Sequence, residues 1–236
     1  AQTMTSAIRA ALILGALLAI TAPRADAATQ APARGLHGMV ASQSALASQV
    51  GVDVMAKGGN AVDAAVAVAF VLAVTFPEAG NIGGGGFMLL RLADGRAIAI
   101  DYRETAPAAA SRSMFINPDG TAINDDGGPR YGYRAAAVPG TVAGLELAWR
   151  KYGSGKLRWR ELLEPARRIA AKGFVVDAGL AQRLREEQKV LARYAESRRI
   201  FLRGGAPYRE GEIFRQPELA ATLARLARGG ADEFYR

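Results

Sequence analysis

No cysteine occurs among the 236 residues, and there is one histidine, His37. The first absence rules out disulfides and thiolate metal sites; the second leaves too few imidazoles for a histidine-based one. Nothing supports a site of carboxylates alone, so neither a metal nor a cofactor is expected. The chain also lacks a Gly-x-Ser-x-Gly elbow, a Gly-x-Gly-x-x-Gly and a Gly-Lys-Ser/Thr. Those absences remove the usual hydrolase serine and the common phosphate-binding loops. His37, in Gly35-Leu36-His37-Gly38, has no nucleophile near it and reads as a loop residue rather than a catalytic base.

Long apolar runs are scarce as well. The uncharged stretch from Ala10 to Pro23 falls short of the roughly 20 residues that a spanning helix needs. It follows Met4 and Arg9 and runs into Ala25-Asp26-Ala27, the layout of a charged n-region, an h-region and a small-x-small cleavage site. Residues 1–27 are therefore expected to be upstream residues and a secretory signal. Residues 28–38 read as a loose linker and residues 39–236 as the folded domain, which the signal would place in the periplasm or outside the cell, with no membrane attachment after cleavage.

Half of the residues are hydrophobic and 22% are charged, the balance of a globular domain with a real core. The formal charge is +8, but the arginines are spread over amphipathic segments without aromatic platforms, so solvated helix faces are expected and nucleic acid is not.

Apolar periodicity predicts helices from Ser44 (Leu46, Val50, Val54), over Ala61–Thr75, from Thr141 to Gly153, over Arg160–Lys172, over Ala178–Tyr194 and over Gln216–Arg228. The second is apolar on nearly every side, and its alanines suggest close packing against a sheet. Met39–Ser42 reads as a short first strand, Phe87–Leu92 and Ala97–Tyr102 as a hairpin about Asp94-Gly95, with Phe87–Leu92 buried. Gly83–Gly86 precede the hairpin and permit unusual backbone angles and close approaches. Arg103 stands at its end. Its planar fork suits a carboxylate; alternatively it pairs with Asp101 or Glu104. So few strands among so many helices imply a small sheet, or one completed by residues beyond this chain.

Several motifs, in order, closely resemble the large-subunit half of the γ-glutamyltranspeptidases. They are Gly51-Val52-Asp53 with Gly58-Gly59-Asn60-Ala61-Val62-Asp63-Ala64-Ala65, Gly80-Asn81-Ile82-Gly83-Gly84-Gly85-Gly86-Phe87-Met88, Tyr102-Arg103-Glu104-Thr105-Ala106-Pro107, and Val138-Pro139-Gly140-Thr141-Val142-Ala143-Gly144. The closing Asp232-Glu233-Phe234-Tyr235 also resembles that family. The resemblance implies an α+β fold, the four-layer αββα sandwich of N-terminal nucleophile hydrolases, incomplete in this chain. It implies a precursor that cuts itself to expose a threonine, which carries the γ-glutamyl group from glutathione or a related donor to water or to an amino acid or peptide. By the family pattern Arg103 binds the α-carboxylate of the glutamyl group.

The family's Thr-Thr-His motif is missing here, since Gly35-Leu36 precedes the single histidine. No catalytic residue is therefore expected in this chain. The threonine, the oxyanion hole and the contacts to the substrate amine are expected in a small subunit cut from the same precursor, and this portion alone is expected to be inactive. Two alternatives are a cephalosporin acylase, which takes a glutaryl group, and a non-catalytic binding or assembly subunit.

Overall fold

The computed structural model describes residues 32–124 and 127–236. The expected signal and residues 28–31 of the expected linker lie outside the described residues. Gly38–Arg236 forms one unit, and its elements are helices Ala45–Ala56 (α1) and Ala61–Thr75 (α2), then strands Phe87–Arg91 (β1) and Ala97–Asp101 (β2). Thr141–Tyr152 (α3), Trp159–Lys172 (α4), Phe174–Val175 (β3), Ala178–Glu186 (α5), Gln188–Leu191 (α6) and Ala195–Phe201 (α7) follow. Leu202–Arg203 (β4), Ala206–Pro207 (β5), Ile213–Phe214 (β6), Pro217–Gly229 (α8) and Asp232–Tyr235 (α9) complete the α+β order.

The boundary between α1 and α2 is written into five residues. Gly59 N–H donates to Val54 O at 3.1 Å and Gly58 N–H to Met55 O at 2.9 Å, the paired bonds of a Schellman ending. Asn60 Oδ1 then accepts from the Val62 and Asp63 N–H groups at 2.9 and 3.0 Å, while Asp63 Oδ2 accepts from Asn60 N–H at 2.9 Å. This reciprocal cap satisfies orphan donors at both positions. The same carboxylate oxygen accepts from Ser154 N–H at 3.0 Å, and Asn60 Nδ2 donates to Tyr152 O at 2.7 Å, so the start of α2 is bonded to the end of α3. Asp63 is fully buried; its Oδ1 lies against Gly153 without a hydrogen bond.

α2 forms the centre of the core. Val66, Phe70, Val71 and Val74 are buried against α1, α3 and α4, and α8 closes over α4 with Leu223 and Leu226. Trp159 stands edge-on to Phe70 at 5.4 Å and donates its Nε1 proton to Leu226 O at 3.0 Å, so the buried indole has a partner. Gln216 Nε2 donates to Val74 O at 2.8 Å and ties the start of α8 to the end of α2.

β1 and β2 pair antiparallel with Phe87 opposite Asp101 and Arg91 opposite Ala97, within one residue of the expected hairpin. Two further two-stranded pairs, β3 with β6 and β4 with β5, were not expected from the pattern. The latter turns at Gly204-Gly205.

Five expectations are corrected. Met39–Ser42 forms no strand; Met39, Val40 and Ala41 instead line a cleft of about 450 Å³ with α2 and β1. The alanine face of α2 (Ala61, Ala65, Ala69) faces β1 across that same cleft rather than packing closely on a sheet, and the close neighbours of α2 are helices. The face α1 buries is Ala47, Gly51 and Val54, with Leu46 44% exposed, since small residues let α1 approach Val68 of α2 closely. β1 is buried on one face only: Met88 and Leu90 pack on the core while Phe87 and Leu89 are 61% and 82% exposed. The predicted helix over Ala178–Tyr194 also breaks at Glu187, where the chain turns so that Gln188 reaches Gly205 O and Leu191 and Phe201 pack inward.

Two consequences can be measured. Asp63→Ala strands the Asn60 and Ser154 donors and is expected to lower stability by about 2–5 kcal/mol in urea unfolding; a loss below about 1 kcal/mol would refute the clamp. Glu161 is held at about 2 by the Arg158 guanidinium and the Arg158 N–H, which together cap α4. Because its folded value is depressed, this cap is complete above the ordinary glutamate value near 4.3 and is lost as the pH falls through about 2. A carboxyl NMR titration of Glu161 with a midpoint above about 4 would contradict that geometry.

Candidate substrate-binding site

The hairpin ladder continues past its strands, with Gly86 N–H donating to Tyr102 O at 3.3 Å and Tyr102 N–H to Gly86 O at 3.0 Å. The glycine loop and the Tyr102-Arg103 segment are thereby held side by side. Arg103 N–H donates to Asp101 Oδ1 at 3.0 Å. Asp101 thus serves the backbone of Arg103, and the ion pair with Asp101 or Glu104 is not made. Among the described residues the exposed Arg103 guanidinium has no hydrogen-bond or ion-pair partner.

What seats this segment is the first turn of α3. A Cβ on Gly140 would stand 2.1 Å from Tyr102 O and 3.2 Å from Arg103 O, so only glycine lets the turn lie this close. One turn on, a Cβ on Gly144 would stand 2.3 Å from Tyr102 Cβ. Tyr102 is half-buried between these contacts and Gly86, and burial pushes its phenol above the ordinary value. Beyond Arg103, Thr105 and Val138 exchange backbone hydrogen bonds at 3.1 and 2.9 Å, closing the segment from its other side.

The glycine loop is knitted to the same turn. Gly84 O accepts from Gly140 N–H at 2.8 Å and Thr141 N–H at 3.0 Å. Asn81 Oδ1 accepts from Gly84 N–H at 2.9 Å and from the buried Thr141 hydroxyl at 2.8 Å. None of Gly83–Gly86 has a positive φ, and the use made of Gly84, Gly85 and Gly86 is close approach, to Asn81, Glu104 and Tyr102. Single-residue reading missed Tyr102, Asn81 and Thr141; their signal was adjacency to glycines within the motifs that carried the resemblance.

An exposed guanidinium on backbone fixed from three sides can take a carboxylate through two parallel charge-assisted hydrogen bonds. His37 is exposed and lies outside the unit formed by Gly38–Arg236. Among the described residues no group of three or more His, Cys, Asp or Glu could hold a metal ion, and no helix is long and apolar enough to cross a membrane.

A family model described as gamma-glutamyltranspeptidase matches residues 47–236. The glutathione hydrolase proenzyme of Pseudomonas sp. strain A14 is 44% identical over 236 residues, covering all of this chain and 40% of that protein. The corresponding proenzyme of Escherichia coli K12 is 47% identical over 206 residues, covering 87% of this chain and 35% of that protein. The crystal structure of Helicobacter pylori gamma-glutamyltranspeptidase superposes with a TM-score of 0.84 at 40% identity, covering 87% of this chain and 58% of that one. The chain thus spans two fifths or less of the length of these curated relatives, and it holds part of the α+β, N-terminal nucleophile hydrolase fold. By its matched residues and its fold, the chain belongs to the γ-glutamyltranspeptidase family.

Proposed function

We propose that this chain is the donor-binding part of an exported γ-glutamyltransferase and glutathione hydrolase. The observation that carries the reading is the Arg103 guanidinium at the end of β2, without a partner among the described residues and on backbone immobilised by Gly140 and by the Thr105–Val138 bridge. In this reading Arg103 grips the α-carboxylate of a γ-glutamyl donor such as glutathione and sets the γ-carbonyl at a fixed distance from it.

The nucleophile is a threonine at the start of a small subunit cut from the same precursor, outside residues 1–236. Its hydroxyl adds to the γ-carbonyl, and its own α-amine takes the hydroxyl proton and passes it to the departing amine as the amide bond breaks. The resulting ester is released by water or by the amine of an amino acid or peptide. The names of the two proenzymes above support glutathione as donor and a precursor as the form in which the chain is made. The signal expected over residues 1–27 supports export to the periplasm or beyond.

Two measurements test this. In the complete polypeptide, Arg103→Ala removes a charged partner, a loss of about 2–5 kcal/mol, and should raise KM for glutathione about 30-fold or more with kcat little changed; an unchanged KM would end the carboxylate role. Residues 38–236 alone should show no hydrolysis of a γ-glutamyl anilide, and turnover by that piece would place the nucleophile within it. A preference for a glutaryl over a γ-glutamyl anilide in the complete polypeptide would favour an acylase instead.

A further inference from the structure

We infer that Asn81 is a positioning residue for Arg103, acting through the glycine loop and the first turn of α3; the inference rests on the carboxylate-binding reading of Arg103. Asn81 is half-buried, and both ends of its amide are used. Oδ1 accepts from Gly84 N–H and from the Thr141 hydroxyl, and Nδ2 donates to Ala79 O at 3.1 Å. An aspartate could keep the acceptor, but it would set a negative oxygen against Ala79 O. The amide is therefore the side chain that this place requires.

The chain of contacts from Asn81 to the guanidinium has few steps. Asn81 holds Gly84, and Gly84 O receives the Gly140 and Thr141 N–H groups. Gly140 in turn lies against the carbonyl oxygens of Tyr102 and Arg103, closer than any side chain would allow. Thr141 doubles the link, bonding Asn81 through its hydroxyl and Gly84 through its N–H. Without the Asn81 amide, the loop keeps the two bonds of Gly84 O to α3 but loses the acceptor that orients Gly84 N–H and the Thr141 hydroxyl, and the surface that seats Tyr102-Arg103 is less firmly set. Misplacement of a binding group by about 1 Å can cost about 100-fold in rate.

The test separates positioning from general scaffolding. In the complete polypeptide, kcat/KM is measured for a γ-glutamyl anilide and for a 4-aminobutanoyl anilide, which keeps the amine and the scissile amide but has no α-carboxylate. Asn81→Ala and Thr141→Val should each lower the ratio of the two values about tenfold or more, Thr141→Ser should restore it, and neither loss should multiply with that of Arg103→Ala. Thr141→Val keeps the loop sequence intact and serves if Asn81→Ala does not fold; if the 4-aminobutanoyl donor is not turned over, the double-mutant cycle on the γ-glutamyl anilide decides. An unchanged ratio, or losses that multiply with Arg103→Ala, would overturn the inference while leaving the role of Arg103 standing. If Arg103→Ala slows both donors equally, the carboxylate reading itself falls, and the role inferred for Asn81 falls with it.

Discussion

A fifteen-residue helix with no polar face needs cover on most of its surface, and α2, buried everywhere but along the alanine face that borders the cleft, imposes that requirement on the rest of the unit. Its neighbours α1, α3 and α4 are amphipathic or small-faced and supply the cover, while α8 closes the far side of α4. Burial of this kind is non-directional, so it sets no register by itself. Register comes from the polar ties at the ends: Asn60 and Asp63 bond the start of α2 to the end of α3, and Gln216 bonds the end of α2 to the start of α8. Each tie satisfies a backbone group that would be costly to bury alone. The core thus contributes the driving force, and a few buried amides and one carboxylate determine its geometry.

That geometry is what makes the candidate site. α3 is anchored at its C-terminal end by α2, and its N-terminal turn is presented to the glycine loop and to Tyr102-Arg103. The site is assembled from backbone pressed against backbone, with Gly140 and Gly144 as the points of approach, and the cation it offers outward is Arg103. The backbone that carries the guanidinium is preorganised, so little loop ordering remains to oppose binding, and the cost left is the rotamer freedom of the arginine side chain. It is also incomplete as an active site, because a carboxylate clamp positions a donor without supplying a nucleophile.

Much of this was legible in the residues. Gly58-Gly59-Asn60 with Asp63 announced the end of one helix and the start of the next, and Asp94-Gly95 between apolar runs announced the hairpin, because caps and tight turns are decided within a few residues. The face that α1 buries was not legible. Leu46 has the larger apolar surface, yet the partner helix selects the small face of Ala47 and Gly51 because it permits closer packing. The break at Glu187 was hidden for a similar reason, since the leucine period continues across it while the core and the β4–β5 turn bend the chain.

For the site the division is sharper. The sequence alone determined that a guanidinium follows the second hairpin strand, and its motifs named the family, because both depend on residue identity and order. Only the tertiary structure decided that the Arg103 guanidinium is unpaired among the described residues, since Asp101 was free to bond either its side chain or its backbone and takes the backbone. Only it brought Asn81 and Thr141, sixty residues apart, into one network with Gly84 and Gly140. Local propensity extends over a turn or two of chain, whereas these contacts are made by the packing of α3 against α2 and the hairpin, which no stretch of sequence encodes by itself.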